Sequence, residues 1–193
     1  MSMYKLPTEI EVNEIYYPIR KRGDYRMVLG VFSVLEDYSI TQSERIISAL
    51  IMFYKDFSTF DDVIACDNLE DLVNGMYNFF NADRPEGKSV NRKLIDWNKD
   101  SSLISSAINS VSGKEIRKEK YIHWWTFVSW YMSVGESTLS TVTSIRDKIL
   151  RGTKLEKWDR DFKRDNPQYF IWNHTTVEDK EAEEWLKSVW NKE

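Results

Sequence analysis

The chain has 193 residues, 41% of them hydrophobic and 14% aromatic, enough to build a core for one ordinary domain or two small ones. Charged residues make up 30% but the net charge is only −4, which lacks the strongly basic balance that draws proteins to phosphate backbones. One cysteine, Cys66, leaves no intramolecular disulfide or multi-cysteine zinc site, no run reaches the ~18 apolar residues of a membrane span, and the opening Met-Ser-Met-Tyr-Lys-Leu-Pro lacks a signal-peptide core, so a reducing, intracellular compartment is expected.

With seven glycines and four prolines, the chain is poor in turn formers and rich in amphipathic stretches. The expected class is mainly α: a helical bundle with a short N-terminal β-hairpin and an extra C-terminal amphipathic helix. The hairpin is residues 10–19, where Ile10, Val12, Ile15, Tyr17 and Ile19 alternate around Asn13. Pro18 lacks an N–H and belongs on an edge. Arg20-Lys21-Arg22-Gly23 reads as a loop. Asp24 can cap a helix carrying Met27, Val28, Val31, Leu35 and Tyr38.

Thr41-Gln42-Ser43-Glu44 is a capping box opening a helix with Ile46, Ile47, Leu50, Ile51 and Tyr54. Asp61-Asp62 and Glu70-Asp71 lack metal-site spacing and suit helix starts, where negative charge meets the positive dipole end. From Asn68 to Asn81 the stripe is Leu69, Leu72, Val73, Met76, Tyr77 and Phe80, with Gly75 either weakening the helix or admitting a close neighbour. Asn81 to Lys93 is polar, with Pro85 and Gly87, and reads as a linker. It divides the chain into residues 1–82, a linker 83–93, residues 94–166 and a tail 167–193, or joins them within one domain.

Asp100-Ser101-Ser102 starts a helix with Leu103, Ile104, Ala107, Ile108 and Val111, ending at Gly113. Residues 119–134 are apolar on nearly every side, with Tyr121, Ile122, Trp124, Trp125, Phe127, Val128, Trp130, Tyr131 and Met132, as expected of a bundle's central helix. A helix with Leu139, Val142, Ile145, Ile149 and Leu150 comes next, ended by Gly152. A charged helix from Lys154 to Asp165 has Leu155, Trp158 and Phe162 as its stripe and stops at Asn166-Pro167. The last amphipathic piece, Thr176 to Asn191, gathers Ala182, Trp185, Leu186, Val189 and Trp190 on one side, which either docks back onto the domain, the better reading, or reaches for a partner.

Catalytic signals are sparse. His123 has no companion motif, and the better reading is a histidine packed beside tryptophans with one ring hydrogen bond. His174 lies in a polar stretch, and Cys66, beside Asp67, reads as a small buried apolar group. The basic residues between Arg146 and Arg164 are nearly cancelled by acidic ones, which suits a solvated face. No H-E-x-x-H, Gly-rich phosphate loop or G-x-S-x-G occurs, and no cofactor or metal is expected.

Tyr121-Ile122-His123-Trp124-Trp125-Thr126-Phe127, with Asp100 and Ile104 upstream and Ser144-Ile145-Arg146 downstream, resembles a family from phages of Gram-positive bacteria. Its members are encoded between the major tail protein and the tape measure protein and are regarded as tail assembly chaperones. The resemblance spans most of residues 5–165, is weaker but orderly from Leu6-Pro7 to Leu35, and stops after Asn166. It implies a non-enzymatic protein, whose relatives often come as a frameshifted pair, acting in the host cytoplasm and absent from the mature virion. Such a protein coats the tape measure protein, recruits tail-tube subunits and can self-associate, with no membrane or nucleic-acid partner. Tyr121, Trp130, Trp185 and Trp190 are the expected exposed partner contacts. A phage-encoded adaptor or regulator of a host protein or nucleic acid is the alternative, and an enzyme built around His123 is a third class.

Overall fold

The computed structural model describes residues 5–82, 84 and 94–171. Among them the fold is mainly helical, with one antiparallel hairpin at the N-terminal end. Strands β1 (Glu9–Val12) and β2 (Ile15–Pro18) pair Val12 with Ile15 across a two-residue turn. Asn13 and Glu14 both take positive φ there, as a primed turn requires. Pro18 ends β2 opposite Glu9, and its carbonyl accepts a hydrogen bond from Lys55 N.

The basic run forms a single tight turn, Arg20–Gly23, with Lys21 and Arg22 left-handed. Arg20 is turned inward, donating to Tyr54 O at 3.1 Å and Phe57 O at 2.7 Å. Asp24 caps α1 (Tyr25–Leu35) by accepting from Arg26 N. The same carboxylate accepts from Ile122 N, and Tyr25 N donates to Ile122 O. Helix α1 stops before Tyr38, which is exposed and stacks under the Arg45 guanidinium rather than continuing the buried stripe.

The Thr41–Glu44 box opens α2 (Gln42–Phe53) with both reciprocal bonds in place. A second box, Thr59 with Asp62, starts α3 (Phe60–Ile64). Cys66 comes after it only half-buried, with Sγ 3.4 Å from Asp62 O, short of the buried position expected. Helix α4 (Leu69–Asn81) buries Leu72, Val73, Met76, Phe79 and Phe80 but leaves Tyr77 exposed, a correction to its stripe. Gly75 admits the hairpin: a Cβ there would meet Ile10 Cγ2 at 2.7 Å and Tyr54 Oη at 3.2 Å. Tyr54 itself ends α2 outside the helix and donates to Leu72 O at 2.7 Å.

Beyond residue 94 come α5 (Ser101–Ser112), α6 (Trp124–Met132), α7 (Thr138–Leu150) and α8 (Lys157–Asp165). Asp100 stands at the N-terminal cap of α5 but does not cap it with its side chain. Its carboxylate instead takes a bidentate grip from Arg146 of α7, at 2.6 and 2.9 Å, and accepts from Asp96 N. Both side chains are almost fully enclosed, and Arg146 also donates to Leu94 O and Tyr169 O.

The expected central helix over 119–134 is corrected on two counts. Helix α6 begins only at Trp124, and it buries Trp124, Phe127 and Val128 while Met132 and Tyr121 stay exposed. Tyr121 and Ile122 are extended, held by the pairing of Asp24 with His123. Apolarity all round marks packing on one side and open surface on the other, not a helix enclosed by neighbours. Three further stripe residues face solvent, Val111 near the end of α5 among them. Ile149 is exposed, and so is Trp158, because α8 turns Asp159 inward to Lys148 at 2.8 Å. The 176–191 segment, with Trp185 and Trp190, lies outside the described residues. Buried residues from Val12 to Val142, on both sides of the 83–93 stretch, form one contiguous apolar cluster.

Two substitutions test this packing. Alanine normally beats glycine inside a helix by about 1 kcal/mol; Gly75→Ala is expected to reverse that sign, destabilising by about 1–3 kcal/mol through overpacking against Ile10, measured by urea unfolding. Arg146→Lys keeps the charge but loses the planar fork, and is expected to cost on the order of 3 kcal/mol in the same assay.

Candidate functional site

His123 is the first residue to place. It precedes α6 as the cap: Nδ1 accepts from Trp125 N at 3.1 Å. Because Nδ1 is an acceptor, Nε2 carries the proton and donates to Pro7 O at 2.9 Å. The ring is buried between Phe79 and Trp125, and Gly23 gives it room, since a Cβ there would lie 3.2 Å from Nε2. Both ring nitrogens are committed to backbone groups, so the ring straps the N-terminal segment to α6. Burial pushes its pKa below the ordinary 6.5.

The tryptophan pair after it has a matching task at the other end of the contact. Trp124 Nε1 donates to Phe80 O and Trp125 Nε1 to Phe79 O, each at 3.0 Å. The last carbonyls of a helix have no intrahelical donor. Two indoles from the start of α6 therefore cap the end of α4, where Ala82 turns left-handed.

This junction opens a cleft of about 290 Å³ between α1, α4, α6 and the 97–100 turn. Its walls are Phe32, Tyr77, Phe80, Trp97, Trp124 and Tyr131, with Asn81 and Arg84 at the mouth. The rings brace one another: Phe32 meets Phe80 edge-on at 4.9 Å and Trp124 at 5.5 Å, and Trp97 lies 5.8 Å from Tyr131. Burial and the nearby Asp100 carboxylate raise the Tyr131 pKa, while Arg84 opposes them. The site is lined mainly by aromatic rings and is sized for one or two large side chains, with the exposed Arg84 beside them. A second groove on the outer face of α1 and α2 has Met27, Ile51 and Met52 in its floor and Lys21 at its edge.

Two of the four residues expected as contacts are described, and both stand apart from the cleft. Tyr121 is exposed but tethered, its hydroxyl donating to Arg22 O at 2.8 Å. Trp130 is half-buried under Lys114 Nζ, 5.5 Å from the ring centroid. Neither lines the cleft, and Trp185 and Trp190 are outside the described residues. Periodicity does not mark Phe32, Trp97 and Tyr131 as contacts. Trp97 in particular sits in a turn, where an aromatic beside a linker is the one signal the sequence carries. Among the described residues no cluster of potential metal ligands occurs, and no helix is long and apolar enough to cross a membrane.

The His123 strap has a pH signature. The unfolded imidazole takes up a proton below about pH 6.5, whereas the folded one resists until lower pH. Its contribution is complete above pH 6.5 and is lost as pH falls through the depressed folded value. His123→Asn keeps a cap acceptor but loses the Pro7 bond, at a cost of about 1–2 kcal/mol near pH 7.5. The stability gap between the two proteins is expected to narrow towards pH 5, read from chemical denaturation at each pH.

No curated protein and no solved structure matches the chain. A family model described as Bacteriophage Gp15 protein matches residues 3–169, which include the His123 strap, the indole caps, the Asp100–Arg146 pair and every wall of the cleft. The chain belongs to this bacteriophage protein family.

Proposed function

We propose that this protein is a non-enzymatic tail assembly chaperone that keeps the tape measure protein soluble in the host cytoplasm and helps recruit tail-tube subunits. The observation that carries the reading is the preformed aromatic cleft on a member of a phage family. An amphipathic helix binds a groove by inserting a few apolar side chains at helical spacing. A cleft of this size accepts such an anchor, and rigid rings supply contact area with little loss of side-chain freedom. One shallow anchor gives modest affinity, which suits a coating protein: many copies along one long helical partner act together, yet each can leave as tube subunits arrive.

The described surface gives less support to a nucleic-acid regulator. Arg20 points inward to backbone carbonyls, Arg146 is enclosed, and Arg26 is held by Asp24 and the carbonyls of Ile116 and Glu119. His123 is equally ill placed for a catalytic base, with both ring nitrogens taken.

Co-expression with the tape measure protein tests the proposal. A soluble complex holding many copies of this chain, measured by light scattering, is expected. A precipitated partner with this chain eluting alone would reject it. Tyr77→Ser, at an exposed wall of the cleft, is expected to leave the unfolding midpoint nearly unchanged while weakening partner binding by about 1–3 kcal/mol.

A further inference from the structure

Two parts of the described surface are opposite in charge and both are apolar at the centre. Residues 6–19 and 56–83 contain no lysine or arginine. The Asn13 side chain donates to Asp71 at 3.2 Å, which sets the hairpin turn beside the start of α4. On the hairpin Glu9, Glu11 and Glu14 are exposed, and Ile15 and Tyr16 are each 54% exposed. Glu11 stands opposite Tyr16 in the strand register, so this apolar pair sits among carboxylates.

The groove on the outer face of α1 and α2 has the reverse character. It encloses about 460 Å³ over Met27, Ile51 and Met52, with Arg20, Lys21 and Arg26 among its walls and no acidic side chain lining it. Asp24, which pairs with Arg26, is buried. Lys21 is exposed and makes no ion pair among the described residues. Gly30 deepens the floor in mid-helix. A Cβ there would meet only the flexible end of Met52, its Cε at 3.2 Å, so the packing of one chain does not require glycine. Glycine costs such a helix about 1 kcal/mol relative to alanine. Gly30 and Phe32 lie ~160° apart around α1, which puts the groove and the aromatic cleft on different sides of that helix.

We infer that the groove receives the hairpin of a second copy of this chain, with Ile15 and Tyr16 over the methionine floor and Glu11 and Glu14 towards Lys21. Charge and shape select this occupant together. The hairpin brings apolar side chains ringed by carboxylates, and the groove offers an apolar floor walled by cations. Methionine side chains adapt to what covers them, which suits an aromatic and an aliphatic residue arriving side by side. The two sides of the contact are unlike, so it is heterologous and can repeat from copy to copy without using up the surface that makes it. The cleft stays open throughout. Under the proposed chaperone function, which this consequence rests on, such contacts align neighbouring copies along one long partner and add to the hold of each cleft. The contact between copies does not itself depend on that function.

The test uses the full chain carrying Tyr16→p-benzoylphenylalanine, irradiated at low salt with no partner present. The expected result is cross-linked product at the mass of two chains and above, with the link mapped by peptide mass spectrometry to residues 20–30 or 51–58. Links elsewhere, product only at the mass of one chain, or no link would overturn the inference. Sedimentation velocity supplies the second readout. Association is expected to weaken as salt is raised. Lys21→Glu alone and Glu11→Lys alone, both at exposed positions, are each expected to weaken it about tenfold, and the two together in one chain to restore most of that loss. Gly30→Leu fills the groove from its floor and is expected to abolish association while the unfolding midpoint holds or rises. Association that ignores salt and all three variants would overturn the contact. A last comparison separates it from the chaperone function. If Lys21→Glu abolishes association of the isolated protein yet leaves the number of copies on the tape measure protein unchanged, the contact stands and its part in coating is rejected. Mapped contact between copies of a chain that fails to bind the tape measure protein keeps the contact and rejects the chaperone reading.

Discussion

The Arg146 guanidinium is the constraint on which the second half of the fold depends. Each of its five N–H donors has an acceptor: the Asp100 carboxylate takes two, Tyr169 O two, and Leu94 O the fifth. Burying a charge pair is costly unless geometry and hydrogen bonding are complete. Here they are complete, and the gain is positional. Three chain segments far apart in sequence are fixed around one planar group. The turn that carries Trp97 is one of them, so a wall of the cleft is set by an arginine that does not touch it.

A comparable matching of donors and acceptors operates where α4 meets α6. The end of α4 presents the carbonyls of Phe79, which also takes Ala82 N, and of Phe80, and the start of α6 presents two indole N–H groups. Joining them satisfies both sets and brings the aromatic faces of Trp124 and Phe80 into contact with Phe32. His123 closes the same junction from the other side by capping α6 and tying down Pro7. Each polar contact serves to place rings. The cleft is what remains open once those rings are placed.

Under the proposed function, walls that brace one another suit the recognition of a helix. The walls are already braced against one another, so an incoming side chain meets a preformed surface and little ordering is needed on binding. The titratable groups nearby are occupied: His123 by backbone, Asp100 by Arg146, Asp24 by Arg26 and Ile122 N.

Much of the fold was legible in the residue order. The hairpin around Asn13, the Asp24 cap, the Thr41–Glu44 box, the Gly113 and Gly152 ends and the stop at Asn166-Pro167 are local devices, specified by neighbours within a few positions. The Tyr121–Phe127 string, with Asp100 and Arg146, was also enough to point to a phage family, although the pairing of those two charges was not visible. Sequence could not supply which side of each apolar stripe finds a neighbour. Ile149, Trp158 and Met132 fit helical periodicity yet face solvent, while Phe32 and Trp97, outside any stripe, help to form the cleft. Periodicity reports that a face is apolar. Whether that face is covered depends on contacts between residues 24 and 122, 80 and 124, and 100 and 146, and only the tertiary structure decides those.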